Sequence, residues 1–284
     1  MSELTRRILF AVIAAPASIA IVYFGDWALT ILLSVLAALA AWELFRMARA
    51  TGAVPFDLAG MSLAALCPIA VHAQRRGIYS LSLTLIVAMV LLLFASAIWL
   101  RGPGGKPLSS VAITAFGVMY ASLFSYVYAL RYHDYAVGAG AGTLLVLLPV
   151  LLTWVTDIGA YVFGRTFGRR KLIPSVSPGK TIEGALGGLV SAVVICLVYV
   201  RFLLMPYAQL GLTIQGAILF AVVISVAAQT GDLAESVLKR EAGMKDSSHI
   251  IPGHGGVLDR FDSLLFVMPI AFLILGSLLL PVPQ

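Results

Sequence analysis

The chain has 284 residues, 61% of them hydrophobic and only 11% charged. Soluble globular domains carry about 25% charged residues, so this composition cannot clothe an ordinary water-facing surface. It excludes a soluble enzyme, a disordered chain and a disulfide scaffold, and the 2 cysteines, Cys67 and Cys196, lie inside apolar runs that suit neither a zinc site nor a disulfide framework. Apolar stretches, taken in order, predict spans over Ile8–Phe24, Trp27–Trp42, Leu58–Ala73, Ile78–Leu100, Leu108–Leu130, Gly142–Tyr161, Ile182–Leu204, Leu212–Ala228 and Leu264–Leu280. A helix needs ~20 apolar residues to cross a bilayer, so the shorter first pair could also form a re-entrant hairpin. The opening segment reads as retained rather than as a cleaved signal, because a second apolar run follows at once.

The expected fold class is therefore an all-α polytopic membrane protein with about nine transmembrane helices. The whole of 1–284 reads as a single integral-membrane helical bundle. Within it, 1–140 supplies N-terminal spans of uncertain role, and 141–284 a catalytic half with polar cytoplasmic loops at 165–181 and 231–263. With the N-terminus cytoplasmic, only Arg75, Arg76, Arg131 and Arg201 of the 19 basic residues face outward. The positive-inside bias selects that orientation. The net charge of +6 then becomes an inner basic face, suited to anionic lipid or a nucleotide triphosphate and not to nucleic acid.

Acidic residues are costly in a membrane bundle and mark sites. Of the 13 in the chain, Asp232, Glu235, Glu241, Asp246, Asp259 and Asp262 fall in one polar segment. If the eighth helix continues beyond the membrane face, Asp232, Glu235, Ser236 and Lys239 share one side of it. Asp259 and Asp262 share a side of the ninth. Two such carboxylate pairs would offer the hard oxygen ligands that Mg²⁺ prefers. Between them lies Pro252-Gly253-His254-Gly255-Gly256, whose glycines let backbone approach a phosphate. The plainer reading of this segment is a solvated loop whose charges cap two helices.

A second group runs from Asp157 through the basic turn Arg165 to Lys171 and into Ser177-Pro178-Gly179-Lys180-Thr181-Ile182-Glu183-Gly184. Ser177 and Thr181 can cap the seventh helix, and its N-terminal amides with Lys180 make an anion site. A Walker A loop is excluded, because Pro174 stands where its first glycine belongs. Here the plainer reading is a basic cytoplasmic loop without a ligand. His72 reads as a satisfied interior histidine, the four tryptophans as interfacial anchors, and Gly187 and Gly188 as close helix packing. Asp26, Arg131, His133 and Asp134 read as a solvated outer loop.

The run Ser236-Val237-Leu238-Lys239-Arg240, then Lys245-Asp246, then Pro252 to Asp262 resembles the signature of the CDP-diacylglycerol synthases (phosphatidate cytidylyltransferases). Asp157 to Tyr161, Phe167-Gly168-Arg169 and Ser177 to Gly184 are also similar to the family pattern, with Ile158 a mild difference. The resemblance implies that CTP and phosphatidate give CDP-diacylglycerol and pyrophosphate, with Mg²⁺ required and a second cation of unspecified identity conceivable. It implies metal ligation by Asp232 and Asp259, then Asp262 and Asp246, and triphosphate contacts from Lys239, Arg240, Lys245 and Arg260. Asp157, Ser177, Lys180, Thr181, Glu183, Ser236, His254, Gly255 and Gly256 would line the nucleotide or lipid phosphate, and Arg169 and Arg170 would gather anionic lipid. A homo-oligomer such as a dimer, in a bacterial inner membrane with its site on the cytoplasmic side, is the expected setting. The rival readings are a CTP-dependent lipid kinase, which would release CDP, and a transporter, which would place its charges near mid-helix.

Overall fold

A computed structural model describes residues 3–80, 83–251, 253 and 255–281, the side chains of 3–11 and of Leu85 excepted. It is built almost wholly of helices: α1 (Glu3–Phe24), α2 (Asp26–Ala50), α3 (Asp57–Arg75), α4 (Leu83–Leu100), α5 (Pro107–Ser122), α6 (Ser125–Arg131) and α7 (Gly138–Phe167). There follow a hairpin of β1 (Lys171–Ile173) and β2 (Ser177–Thr181), then α8 (Ile182–Tyr199), α9 (Met205–Ala208), β3 (Leu210–Gly211), α10 (Ile214–Glu241), α11 (Leu258–Leu278) and β4 (Leu280–Pro281). Both strand pairs, β1 with β2 and β3 with β4, are antiparallel.

Among the described residues, six helical stretches are long and apolar enough to cross a membrane: Asp26–Ala50, Pro107–Arg131, Gly138–Phe167, Ile182–Ala208, Ile214–Glu241 and Leu258–Leu278. The other three stretches that the sequence suggests fall on shorter or more polar helices. Val12–Phe24 and Ile86–Leu100 are apolar but short, and α3 carries Asp57, His72, Gln74 and Arg75. The molecule is thus an all-α membrane protein.

The chain divides into two compact units. One contains Asp26–Tyr128 and Leu238–Arg260. Its core is α2 packed on α3 and α5, because Leu29, Leu33, Ala37, Ala40, Ala41 and Leu44 recur at helical spacing and are buried. Phe45 is fully buried, and two glycines make room for its ring. A Cβ at Gly60 would lie 2.4 Å from Phe45 Cε2, and one at Gly117 only 2.3 Å from Cε1. His72 is a satisfied interior histidine, as the sequence suggests: its Nδ1 lies 2.9 Å from the Tyr128 hydroxyl and 3.2 Å from that of Thr30.

The other unit contains Ala129–Val237, Phe261–Gln284 and Ala14–Gly25. Its centre is the long contact of α7 with α8, which small residues bring close. A Cβ at Gly187 would meet Phe163 Cβ at 2.3 Å, and one at Gly188 the Thr156 carbonyl at 2.7 Å. Arg131 and His133 are buried rather than part of a solvated loop. Arg131 donates to the carbonyls of Val22 at 2.7 Å and Tyr23 at 2.9 Å, satisfying the end of α1, which has no later turn to bond to.

Candidate active site

Two polar groups form, one in each unit. The first is built on α7, β2, α10 and α11. Helix α10 does continue well past Ala228, to Glu241, so Asp232 stands on regular helix. Gly231 beside it brings α11 close, since a Cβ there would lie 2.7 Å from the Asp262 carbonyl. Lys180, on β2, forms an ion pair with Asp232. Asp157, in the second half of α7, lies within Coulombic range of Asp232, Asp262 and Lys180. Asp157 thus feels two neighbouring carboxylates and one ammonium, and that ammonium is paired with Asp232.

The hairpin that presents Lys180 is itself fastened. Thr181 caps α8, its hydroxyl accepting from the Gly184 amide at 3.1 Å, whereas Ser177 lies at the start of β2. Glu183 accepts from the Arg169 amide at 3.0 Å and the Arg170 amide at 3.2 Å. It therefore shapes the basic turn and leaves the Arg169 and Arg170 residues exposed. A cavity of about 470 Å³ opens here, lined by Asp157, Tyr161, Arg165, Lys180, Thr181, Gln229 and Asp232. Glu235, also on α10, is fully buried.

The second group lies in the other unit, where Asp259 opens α11 and Lys239 sits near the end of α10. Lys239 Nζ lies 2.7 Å from Asp259 Oδ1, both side chains mostly buried. Oδ2 of Asp259 accepts from the Ser247 amide, the Ser247 hydroxyl and the Gly256 amide, each at 2.9 Å. The bends at 255 and 256 need glycine. Gly255 has φ +83° and a Cβ there would lie 2.7 Å from Asp259 Oδ2, while one at Gly256 would come to 2.1 Å from Ser247 Oγ.

Beneath this loop lies Glu43 of α2, which the sequence reading did not single out. It is fully buried. Its carboxylate accepts from the Ser247 hydroxyl at 3.0 Å, the Ser248 hydroxyl at 2.5 Å, the Val257 amide at 2.8 Å and the Leu258 amide at 2.7 Å. The signal available was a carboxylate that follows the apolar run of α2 with no other acid nearby in the helix. Arg46, one turn on, donates to the Ser247 carbonyl at 2.8 Å. Arg240, Lys245 and Arg260 are exposed, and Ser236 and Asp246 half-buried. His254 lies outside the described residues.

Among the described residues, no three His, Cys, Asp or Glu side chains gather closely enough to enclose a metal alone. Mg²⁺ keeps several waters and is usually held by one or two carboxylates plus substrate phosphates. Asp157, Asp232 and Asp262 supply hard oxygen donors, and their mutual repulsion favours a cation. The lysines and arginines supply the charge that a polyphosphate needs. Such a site can align phosphates and stabilise a leaving group without a serine or cysteine nucleophile.

Comparison with known proteins points the same way. A family model described as the cytidylyltransferase family matches residues 5–278. The phosphatidate cytidylyltransferase of Bacillus subtilis (strain 168) is 33% identical over 282 residues, covering 97% of this chain and 99% of its own length. That of Staphylococcus haemolyticus (strain JCSC1435) is 42% identical over 168 residues, and the match spans 59% of this chain and 57% of that protein. For the Haemophilus influenzae enzyme of the same name the identity is 46% over 141 residues, 49% of this chain and 48% of the relative.

Proposed function

This chain belongs to the cytidylyltransferase family, and we propose that it converts CTP and phosphatidate into CDP-diacylglycerol and pyrophosphate. What supports the reading is the cavity of about 470 Å³ that Asp157, Asp232 and Lys180 line together, with Lys180 and Asp232 ion-paired. The relatives bear the name of that activity over the whole length of the chain in one case.

In this reaction a phosphate oxygen of phosphatidate attacks the α-phosphorus of CTP. The bond from that phosphorus to the β-phosphate bridging oxygen breaks, and pyrophosphate departs with its electron pair. The nucleophile is already anionic, so no side chain has to remove a proton. The protein's task is alignment and charge neutralisation. Asp232 and Asp262 in one unit, and Asp259 and Asp246 in the other, are assigned as Mg²⁺ ligands, and the ion when bound would supply Lewis-acid polarisation of the phosphoryl oxygens.

Lys239, Arg240, Lys245 and Arg260 are assigned to the triphosphate and the departing pyrophosphate. Lys180, with Ser177, Thr181 and Ser236, contacts nucleotide or lipid phosphate. The backbone of Gly255 and Gly256 is assigned to approach a phosphate, with His254 orienting it. Asp157 and Glu183 organise the pocket, and exposed Arg169 and Arg170 draw anionic lipid toward it. Acyl chains stay in the bilayer.

The topology proposed with this chemistry keeps nine spans, a cytoplasmic N-terminus and a cytoplasmic site in a bacterial inner membrane. The distribution of basic residues supports it.

The test is direct. Purified protein with CTP, phosphatidate and Mg²⁺ should release pyrophosphate and CDP-lipid, and should release neither when the metal is chelated. Release of CDP with a phosphorylated lipid would make it a kinase. Substrate flux in vesicles without nucleotide would make it a transporter.

A further inference from the structure

We infer that Glu43 is a positioning residue of the cytidylyl transfer, acting through Ser247 on Asp259, a role that rests on the function proposed above. Four donors converge on its carboxylate: two serine hydroxyls and the amides that open α11. Those amides have no intrahelical acceptor, and a carboxylate at a helix N-terminus both satisfies them and opposes the helix dipole. A buried anion needs such a set of donors to be tolerated at all. Glu43 therefore fixes both ends of the loop, at Ser247–Ser248 and at Val257–Leu258.

The link to chemistry is the Ser247 hydroxyl. Its oxygen lies 3.0 Å from Glu43 Oε2 and 2.9 Å from Asp259 Oδ2. It carries one proton, so it donates to one carboxylate at a time and couples the two. The Ser247 amide also holds Asp259 Oδ2, and Asp259 in turn holds Lys239 through its other oxygen. A chain of contacts thus runs from a buried acid on α2 to two side chains assigned to metal and triphosphate. Gly256 completes the fit, since a Cβ there would lie 2.3 Å from Glu43 Oε1.

Groups that only orient an active carboxylate typically cost about 10–100-fold in activity when removed. Glu43→Gln places an amide N–H against donors, and should lower kcat for pyrophosphate release by about that factor. The KM for phosphatidate should stay within about twofold, because the side chains at the end of this chain of contacts, Asp259 and Lys239, are assigned to metal and triphosphate. Ser247→Ala should give a similar loss, and the double variant no more than the larger single effect, as expected for residues acting in one chain. Glu43→Asp keeps the charge and should recover part of the loss. If Glu43→Gln does not fold, Ser248→Ala removes one of the four bonds and should show a smaller kcat loss of the same pattern.

Wild-type kcat in folded Glu43→Gln, or additive losses in the double variant, would overturn the role. So would a loss that matches the unfolded fraction alone. A wild-type protein that releases no pyrophosphate would instead remove the parent function and this role with it.

Discussion

Gly256→Ala is a one-methyl test of how tightly the Glu43–Ser247–Asp259 loop is closed. The added carbon would sit 2.1 Å from Ser247 Oγ, 2.3 Å from Glu43 Oε1 and 2.7 Å from Glu43 Cδ. None of these is a free chain end. The serine hydroxyl is shared by two carboxylates, and the Glu43 oxygen holds the Ser248 hydroxyl and the Val257 amide. Relief of the clash must therefore stretch hydrogen bonds as well as move atoms. Overpacking costs about 1–3 kcal/mol, and each displaced hydrogen bond roughly 1 kcal/mol more, so about 2–4 kcal/mol is expected. At ~2–4 °C per kcal/mol for a chain somewhat above 150–250 residues, the melting temperature in detergent should fall by roughly 4–16 °C. Turnover at a temperature where the variant is still folded should also fall, because Asp259 loses its place. Gly104→Ala is the control, with nothing within 4 Å of the added carbon. A Gly256→Ala protein that melts and turns over like the Gly104→Ala control would refute the reasoning, since it would mean the loop has slack.

Asp232→Asn should leave the melting temperature nearly unchanged, its pair with Lys180 being about a third exposed, yet abolish CDP-lipid formation; near-wild-type product yield would remove it from the metal assignment. Lys239→Ala should raise the KM for CTP more than that for phosphatidate. It should also destabilise the fold, because it strands the mostly buried Asp259 carboxylate; steady-state kinetics and a thermal melt check the two effects. Gly187→Ala, which drives a carbon to 2.3 Å from Phe163 Cβ, should destabilise the α7–α8 contact by about 1–3 kcal/mol, seen as a lower melting temperature. Burial holds His133 below its ordinary pKa, with Asp134 opposing, and its Nδ1 accepts from the Tyr135 amide at 3.3 Å. The unfolded chain then takes up the proton first, so stability should decline as pH falls below about 6.5; His133→Gln should flatten that part of a melting profile.

What the sequence disclosed and what it hid follow from different physics. The shared face of Asp232, Glu235, Ser236 and Lys239 was conditional on α10 outlasting its apolar run, and the helix meets that condition by reaching Glu241. Asp259 and Asp262 were expected at the start of a helix, and α11 begins at Leu258. Local periodicity and capping carry such information. Thr181 was legible as a cap for the same reason, although the short hairpin before it was not. Glu43 was hidden because its donors stand 204 to 215 residues away, and no local pattern announces a contact of that range. Arg131 was misread as solvated because a basic residue after an apolar run ordinarily meets water. Here its acceptors are the Val22 and Tyr23 carbonyls, more than a hundred residues earlier.

The reach of Glu43 across the chain constrains how the protein can be cut and recombined. A chimera that grafts foreign leading helices onto the later half will leave the 247–258 loop without its anchor unless the graft brings an acid at this depth. During synthesis, α2 is complete long before Ser247 or Leu258 leaves the ribosome. The acid therefore waits, and the loop can acquire its order only after synthesis has passed Leu258.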